Sequence, residues 1–426
     1  MRKHLFIVLL LTLASHGYAQ RGLESKKDST KTVQDSIKKI EFLKNIGNGF
    51  LPFNYFNLDL KYLIKFNQYE GLRSGLGGIT NDRFSDRYRV DGYVVYGFKD
   101  KRFKYKIGGG FRINKSSNTW INLAYIDDLQ ETGSSKFLTD KRFFTFFEPR
   151  LLNIDLFHKH ITKSVGLQHK FSNHLLLESQ LATSKVEPTY FYNFLIDNKI
   201  YSNFDLSTAK TSLQWSPFSE FSEINSKFEE TKNGFPKFTL QYTQGFKSVL
   251  GSDFTFSKID FRTIQEFKHK NEANTKLTLV AGLAKGDVPI THLYHASPNN
   301  ITKETIMQRF SVAGLNSFET MYFNEFFSDR FSTLQIKHIF KPFKISDRFK
   351  PQLVLISRYA IGNMNNIERH QGIQFNTLNK LYSESGIEIN KLLFGFGLSF
   401  AYRYGGYHLE DFEDNIAFKF TFNISL

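Results

Sequence analysis

The closing segment of the chain, residues 416–426, reads IAFKFTFNISL. Large apolar side chains occupy every second position, at Ile416, Phe418, Phe420, Phe422, Ile424 and Leu426. The positions between them carry Ala417, Lys419, Thr421, Asn423 and Ser425. A period of two is typical of a β-strand, whose successive side chains point to opposite faces of the sheet. One face of this strand suits hydrocarbon, so we expect the apolar residues from Phe418 to Leu426 to contact lipid.

The same alternation recurs along the chain from residue 54 onward. Segments 394–404, 103–113 and 56–66 each place aromatic and aliphatic residues on one face and polar or small residues on the other. Marking every such run predicts strands near 56–66, 70–79, 87–98, 103–113, 119–126, 162–171, 174–184, 206–215, 237–246, 257–267, 275–283, 330–340, 351–361, 384–390, 394–404 and 416–426.

The composition supports an all-β chain. It contains 47 Phe and 20 Tyr among 426 residues, and both types favour strands. Mean hydropathy is −0.35 and no apolar run reaches the roughly 18 residues that a membrane helix needs, which excludes a helical membrane bundle. The chain has no Cys, so disulfide frameworks, thiolate metal sites and Cys nucleophiles are excluded as well.

Sixteen amphipathic strands with an aromatic-rich face predict an antiparallel transmembrane β-barrel of sixteen strands spanning residues 54–426. In lipid every backbone donor must be paired, and a closed barrel achieves this. The alternative is a soluble β-sandwich, which needs neither so many long strands nor the aromatic excess.

The first residues predict export. Residues 1–19 combine a short basic start, an apolar core and small residues before Gln20, which is typical of a cleaved signal peptide. The net charge of the chain is +15 at pH 7. Because an exported chain rarely meets nucleic acid, we expect anionic outer-membrane lipid and lipopolysaccharide as partners instead.

Between the signal peptide and the barrel, residues 20–53 form a segment that we expect to lie in the periplasm. It contains one helical stripe, made by Val33, Ile37, Ile40, Leu43 and Ile46. Gly47, Asn48 and Gly49, followed by Pro52, predict the end of this helix. The helix either packs on the rest of the protein or lies on the membrane surface.

Three connections exceed the length of turns, at about 127–161, 185–205 and 284–329. The last one is too apolar for a solvated tail, because it includes Phe310, Val312, Leu315, Phe318, Met321, Tyr322 and Phe323. We therefore predict that it folds inward into the barrel.

No pattern in the sequence predicts an enzyme, a metal site or a cofactor site. The 12 His are scattered without a catalytic or ligating motif, and His292 and His295 lack a nearby carboxylate pattern. The glycine-rich stretches at 75–78 and 107–111 do not open a helix, as a phosphate-binding loop must.

The arrangement resembles the BamA/TamA-type barrels of the bacterial surface antigen superfamily, on the strand count, the long inward loop and the run ESGIEI before the last hairpin. More closely, segments 70–81, 91–105 and 316–340 are similar to the barrel of a poorly characterised outer-membrane group that often carries an N-terminal carboxypeptidase-regulatory-like domain. About 35 residues separate Gln20 from the first strand. We therefore expect neither that domain nor polypeptide-transport-associated domains here.

The resemblance also implies a latch. The superfamily's inward loop carries a Val-Arg-Gly-Phe/Tyr motif whose Arg pairs with acidic groups on the barrel wall, whereas this loop reads SFETM, with Glu319 about where the Arg would fall. The alternation of side chains along the predicted strands places Lys337 and Arg358 on the face towards the lumen. We therefore predict a charge-exchanged pair in which Glu319 bonds to Arg358, with Lys337 as a second partner.

By resemblance, the expected function is insertion or translocation of protein or lipid through a weak seam between the first and last strands. The expected partners are client outer-membrane proteins or lipids, and the sequence does not predict the oligomeric state. The alternative is a passive or a substrate-selective pore, which would prefer anions because of Lys61, Lys104, Arg112 and Arg403 on the water-facing side.

Overall fold

Antiparallel strands make up most of the molecule, as the period of two predicts. The computed structural model describes residues 45–134, 136–140, 149–224, 227–303, 311–346, 349–393 and 395–422. The predicted signal peptide and most of the predicted helix lie outside these ranges. Among the described residues, no helix has the length and apolar character needed to cross a bilayer.

The strands have the following bounds: β1 Phe50–Pro52, β2 Phe56–Asp59, β3 Ile64–Asn67, β4 Gly71–Thr80, β5 Tyr88–Gly97, β6 Arg102–Asn114, β7 Thr119–Glu131, β8 Phe157–Ser172, β9 Leu175–Pro188, β10 Asn193–Ile196, β11 Lys199–Tyr201, β12 Phe204–Trp215, β13 Glu220–Ile224, β14 Lys227–Lys232, β15 Lys237–Gly245, β16 Phe256–Lys268, β17 Asn274–Gly286, β18 Pro298–Asn300, β19 Ser311–Val312, β20 Phe318–Tyr322, β21 Arg330–Ile339, β22 Gln352–Asn363, β23 His370–Gln371, β24 Tyr382–Leu393, β25 Phe396–Gly405 and β26 Ile416–Phe422. Short 3-10 helices are η1 Leu60–Tyr62, η2 Pro149–Leu152, η3 Ile290–His292, η4 Ile367–Arg369 and η5 Phe412–Asn415.

One continuous ladder joins the long strands. From β4 onward each long strand pairs antiparallel with the next one along the chain, with β9 pairing β12, β12 pairing β15, β17 pairing β21 and β22 pairing β24 across longer connections. The register is regular over long stretches, for example from Phe256 opposite Gly286 to Lys268 opposite Asn274. The all-β, antiparallel barrel class is thus confirmed, while the count of sixteen strands and closure between the first and last strands stay predictions.

The two faces of the ladder differ in the way that a membrane barrel requires. The outward face exposes an apolar belt that includes Leu76, Val94, Ile107, Leu123, Val165, Leu181, Ile259, Ile361, Ile387 and Phe400. The inward face buries polar and charged side chains. Trp120 shows this arrangement, because it is buried between the guanidinium groups of Arg89 and Arg112, 4.4 and 4.6 Å from its ring. An apolar outside and a polar inside invert the pattern of a soluble protein.

The connections differ in length between the two ends of the ladder. At one end, the turn end, β8 joins β9 through two residues and β26 runs towards the C-terminus. The exception at this end is connection 216–236, which is extended by the paired strands β13 and β14. At the other, the loop end, lie connections 132–156, 189–203, 287–329 and 364–381. Long loops at one end and short turns at the other are typical of outer-membrane barrels.

The loop-end connections pack into a cap with its own hydrophobic core. Strands β10, β11 and β23 form a small separate sheet there. Its core contains Tyr192, Phe194, Phe254, Ile290, Leu293, Tyr294, Phe318, Met321, Phe326, Phe327 and Leu378. Within the cap, the Tyr192 hydroxyl accepts a hydrogen bond from the Ile290 amide at 3.0 Å and lies 2.8 Å from Nδ1 of His370. Burial lowers the pKa of His370 to about 4.

The first predicted strand, 56–66, is the clearest difference from expectation. It is interrupted by η1, because the Asp59 carboxylate accepts a hydrogen bond from the Lys61 amide at 2.9 Å and starts a 3-10 turn. Tyr62 belongs to the aromatic and aliphatic face of the predicted strand 56–66, but its ring stacks on the buried Tyr93 with 4.2 Å between ring centroids. Gly77 makes this possible, since a Cβ there would lie 2.4 Å from the Tyr62 ring.

Candidate functional site at the strand seam

The last strand, β26, has the predicted alternation. Phe418 and Phe420 are exposed on the outer face, and Ala417, Lys419 and Thr421 are buried on the inner face. The backbone of Phe422 pairs with Phe396 of β25. Ile424 and Leu426, the remaining members of the predicted lipid face, lie outside the described residues.

The other edge of β26 carries an unexpected partner. Ser311 and Val312, which form β19 within the long loop, pair with Lys419 and Phe420 in parallel. The Ala313 amide extends this pairing with a hydrogen bond to the Phe420 carbonyl at 2.7 Å. Over the described residues, β26 has no ladder pairing with β2 or β3. The edge at which a closed barrel would join its first strand is therefore occupied by the protein's own loop.

The edge of the first strand is also paired with another segment of the same chain. The short β1 pairs antiparallel with β2, from Phe50 opposite Asp59 to Pro52 opposite Asn57, on the edge away from β4. The 3-10 turn η2, from a second loop, contacts both β3 and β19. We call this region, comprising β1–β3, η2, β19 and β26, the seam.

Glu319 is the buried centre of the loop's attachment to β26. One carboxylate oxygen accepts hydrogen bonds from the Gly314 amide at 3.0 Å and the Ser317 hydroxyl at 2.8 Å. The other accepts one from Asn299 Nδ2 at 2.8 Å and lies 3.4 Å from Nζ of Lys419. These contacts fold residues 314–319 around the carboxylate and position β19 against the strand.

Lys419 completes this contact from the barrel wall. Its ammonium group is fully enclosed, and it also donates a hydrogen bond to the Asn299 carbonyl. Asn299 in turn donates to the Val312 carbonyl at 3.0 Å. A buried ion pair needs such additional hydrogen bonds to offset the desolvation of both charges. We call Glu319, Lys419 and Asn299 the seam latch.

A second carboxylate holds the next residues of the loop. Glu384 of β24 accepts hydrogen bonds from the amides of Glu319 and Thr320, both at 2.9 Å, and from the Thr320 hydroxyl at 2.6 Å. Its charge is balanced by Arg358 of β22, with 2.6 Å between Nη1 and Oε1. Further along the loop, Glu325 binds Arg403 of β25 through two hydrogen bonds of 3.1 and 2.7 Å.

These contacts correct the partners of the predicted latch. Glu319 pairs with Lys419 rather than Arg358, and Arg358 pairs with Glu384. Lys337 makes no ion pair with Glu319 and instead donates to the Leu315 carbonyl at 2.8 Å. The physical reason is the distance that the loop travels across the inner wall. Because it crosses β24, β25 and β26, the cation nearest to Glu319 comes from the last strand.

The second loop at the seam has its own charged anchor. Arg150 of η2 binds Glu131, at the end of β7, through hydrogen bonds of 2.8 and 2.5 Å. His295 lies 2.7 Å from the same carboxylate. Asn153 adds contacts to Asn299 at 3.2 Å and to Ser311 at 3.1 Å. Two loops are thus tied to each other beside β19.

Several members of this site were not predicted from the sequence, although two of them, Glu384 and Lys419, lie in patterns that the sequence shows. Glu384 opens the run ESGIEI, and Lys419 lies on the water-facing side of the closing strand. Both were recognised as part of a motif or a face, but not as partners of the loop. Asn299 and Arg150 lie in loops without any periodicity, and no sequence signal identifies them.

The predicted N-terminal stripe enters the structure only at its end. Val33, Ile37, Ile40 and Leu43 lie outside the described residues. Ile46 is half-buried within the helical residues 45–47, and Gly49 follows with a φ of 79°, a backbone conformation that suits a helix end at glycine.

No group of three or more His, Asp or Glu side chains in the described part of the chain is arranged to hold a metal ion. Histidine side chains approach one another in pairs, such as His269 with His338 at 5.6 Å and His158 with His292 at 5.9 Å between ring centroids. The charged groups at the seam pair with each other, and their geometry suits holding a segment in place.

An apolar outer belt, a buried polar interior and a seam occupied by loop residues define a β-barrel membrane protein of the outer-membrane type. The chain belongs to a family described as "Family of unknown function (DUF5686) C-terminal domain", whose model matches residues 53–343. No curated protein matches the sequence significantly.

The chain is also similar to solved structures at low sequence identity, and the first of those named here shares its fold. BamA from Haemophilus ducreyi, lacking POTRA domains 1–3, is 11% identical, with a TM-score of 0.51 over 94% of this chain and 79% of that one. CdiB from Acinetobacter baumannii is 10% identical, with a TM-score of 0.43 over 83% of this chain and 57% of that one. CdiB from Escherichia coli is 8% identical, with a TM-score of 0.45 over 87% and 62%.

Proposed function

We propose that this protein is an outer-membrane barrel that inserts or translocates protein or lipid through the seam between its first and last strands. The observation that carries the proposal is the pairing of β26 with two residues of an internal loop. A strand edge exposes unpaired amide and carbonyl groups that pair readily with any extended segment. Among the described residues, this edge is covered by two loop residues, so it exchanges its partner at a lower cost than the continuously paired long strands.

The proposed working cycle follows from this arrangement. When the loop withdraws β19, the edge of β26 becomes available to another extended segment or to lipid. The seam latch holds the resting state, because Lys419 and Glu319 are each buried and would lose their charge partner on opening. No catalytic step belongs to this proposal. Client outer-membrane proteins or lipids are the proposed partners, and the outer membrane is the proposed location.

The alternative of an anion-preferring pore is not favoured by the lumen. Lys104 pairs with Glu70 at 2.7 Å, and Arg403 pairs with Glu325 at 2.7 Å. Arg112 lies against the Trp120 ring. Three of the four cations expected to attract anions, Lys104, Arg112 and Arg403, are therefore engaged with other side chains, and the loop end carries a packed cap.

A reversible lock tests the proposal. The chain has no Cys, so Val312→Cys with Phe420→Cys introduces a single pair at positions that face each other across the β19–β26 pairing. The matched control, Leu355→Cys with Ile387→Cys, joins paired outward positions of β22 and β24 within the continuous ladder.

Both variants are reconstituted into vesicles to which a urea-denatured small outer-membrane barrel is added as client. We expect oxidation of the seam pair to reduce client folding to the rate of empty vesicles, with recovery on reduction, while the control pair has no effect. Conductance across planar bilayers is recorded in parallel. A steady open current that is insensitive to the seam lock would contradict the proposal and favour a pore.

A further inference from the structure

A second feature lies on the outer wall, away from the seam in strand order. A groove of about 900 Å³ runs across β6, β7, β8, β9 and β12, under the connection 246–255 between β15 and β16. Its floor is a single row of outward-facing side chains, Leu123, Val165 and Leu181, which are neighbours across the paired strands. We call it the outer-wall groove.

The connection that overhangs the groove is fixed to the wall. The Ser207 hydroxyl donates to the Val249 carbonyl at 2.7 Å, and the Asp253 amide donates to the Asp205 carbonyl at 2.9 Å. These bonds hold the tip, Val249 and Leu250, outside the barrel, where Leu250 is 81% exposed. An apolar surrounding stabilises an apolar tip in this position, because it removes Val249 and Leu250 from water.

Small residues give the groove its depth. Gly109, which lines the groove, is paired with Leu123 at one end of the floor, and Ser207 and Thr208 line the groove at the other end. A Cβ at Gly109 would meet only the Arg89 carbonyl, at 3.6 Å, so the space above this glycine is open. The volume lies within the 300–1,000 Å³ that is common for ligand sites.

One cation lines the groove on the side of the loop end. Lys163 lies two residues before Val165 on the same outward face, and it makes no ion pair with any described residue. Lys247 is exposed on the overhanging connection. Lys185, on the neighbouring strand, lies opposite Ile161, further towards the loop end than Lys163. The positive charge nearest to the apolar floor is that of Lys163.

We propose that the outer-wall groove is a binding site for an anionic membrane lipid, with an acyl chain on the Leu123–Val165–Leu181 floor and the lipid phosphate at Lys163. The surrounding bilayer supplies the acyl chain, and the lysine adds selectivity for a negatively charged headgroup. The site is independent of the seam and of the function proposed for it.

Native mass spectrometry of the purified full chain tests this site with phosphatidylglycerol and phosphatidylethanolamine as equimolar probes. Leu181→Trp fills the groove, and Leu240→Trp makes the same change at another exposed outward leucine. Lys163→Glu reverses the charge, and Lys268→Glu makes the same change at the turn end.

We expect the unmodified chain to retain one phosphatidylglycerol in preference to phosphatidylethanolamine. Leu181→Trp and Lys163→Glu should each lower this retention at least tenfold, and both control variants should preserve it. Equal retention of the two lipids in all variants would show only the ordinary lipid boundary and would overturn the proposal. Disulfide-linked dimers formed in vesicles by Leu250→Cys, the only thiol present, would also overturn it by showing that the groove is an interface between two copies.

Discussion

Replacing Glu319 by glutamine removes the charge that faces Lys419 while it preserves the size of the side chain. Both side chains are 1% exposed, so water does not replace the lost partner. Breaking a buried ion pair from one side costs about 3–5 kcal/mol. Because about 1.4 kcal/mol corresponds to a factor of ten, local opening of β19 should become roughly 100 to 3,000 times more frequent.

Amide hydrogen exchange of residues 311–314 measures this opening. The Ala313 amide reports it directly, because its partner is the Phe420 carbonyl of β26. Lys419→Met should have an effect of similar size, since it leaves Glu319 as the unpaired charge. The double variant Glu319→Gln with Lys419→Met removes both charges and should recover much of the protection.

Lys337→Met is the matched control, because Lys337 donates one hydrogen bond to the loop backbone and makes no ion pair with Glu319. This bond is made at the exposed Leu315, where water can replace the donor, so the control should change exchange by about tenfold or less. If Glu319→Gln stays within that range, or if Lys337→Met equals Lys419→Met, the seam latch does not hold the loop.

Three further predictions address other parts of the molecule. Phe420→Lys should lower the free energy of unfolding by about 2–4 kcal/mol in urea titrations. Phe412→Lys, in a loop-end connection, should lower it by less than about 1 kcal/mol. Equal losses at the two positions would contradict the lipid-facing assignment of Phe420. Since burial lowers the pKa of His370 from 6.5 to about 4, the cap is fully stabilised above pH 6.5 and should lose roughly 3 kcal/mol as the pH falls to 4. Limited proteolysis of residues 364–381 across this pH range should show the loss, and His370→Gln should flatten the profile. Finally, the charge exchange Glu319→Lys with Lys419→Glu should retain more thermal stability than the exchange Glu319→Arg with Arg358→Glu. The reason is that Arg358 forms its ion pair with Glu384.

The long strands were predictable because a membrane barrel repeats one physical requirement at every second residue. The predicted 103–113 and 330–340 agree with β6 and β21 to within a residue. The interruption at η1 was not predictable, since it depends on an aspartate cap and on a glycine two strands away. Strands such as β10 and β23 were missed because their pairing arises only when distant loops meet.

The partners that the loop meets on the barrel wall could not be predicted from the sequence. Alternation correctly assigned Lys419 to the inner face, and the apolar content of the loop indicated a buried course. Neither observation specifies how far across the wall the loop travels, and that distance decides which cation Glu319 meets. Pairing between a loop and a wall is set by tertiary packing, so a periodicity can give the direction of a side chain without its partner.

Because β19 belongs to a loop whose two ends continue into β17 and β21, which pair with each other, a displaced β19 stays beside the edge that it left. It behaves as a tethered ligand, with an effective concentration on the order of millimolar. A free peptide at micromolar concentration therefore competes with the tethered β19, whose effective concentration is about a thousandfold higher. A segment that replaces β19 must itself be held at the seam, for instance by being already embedded in the same membrane.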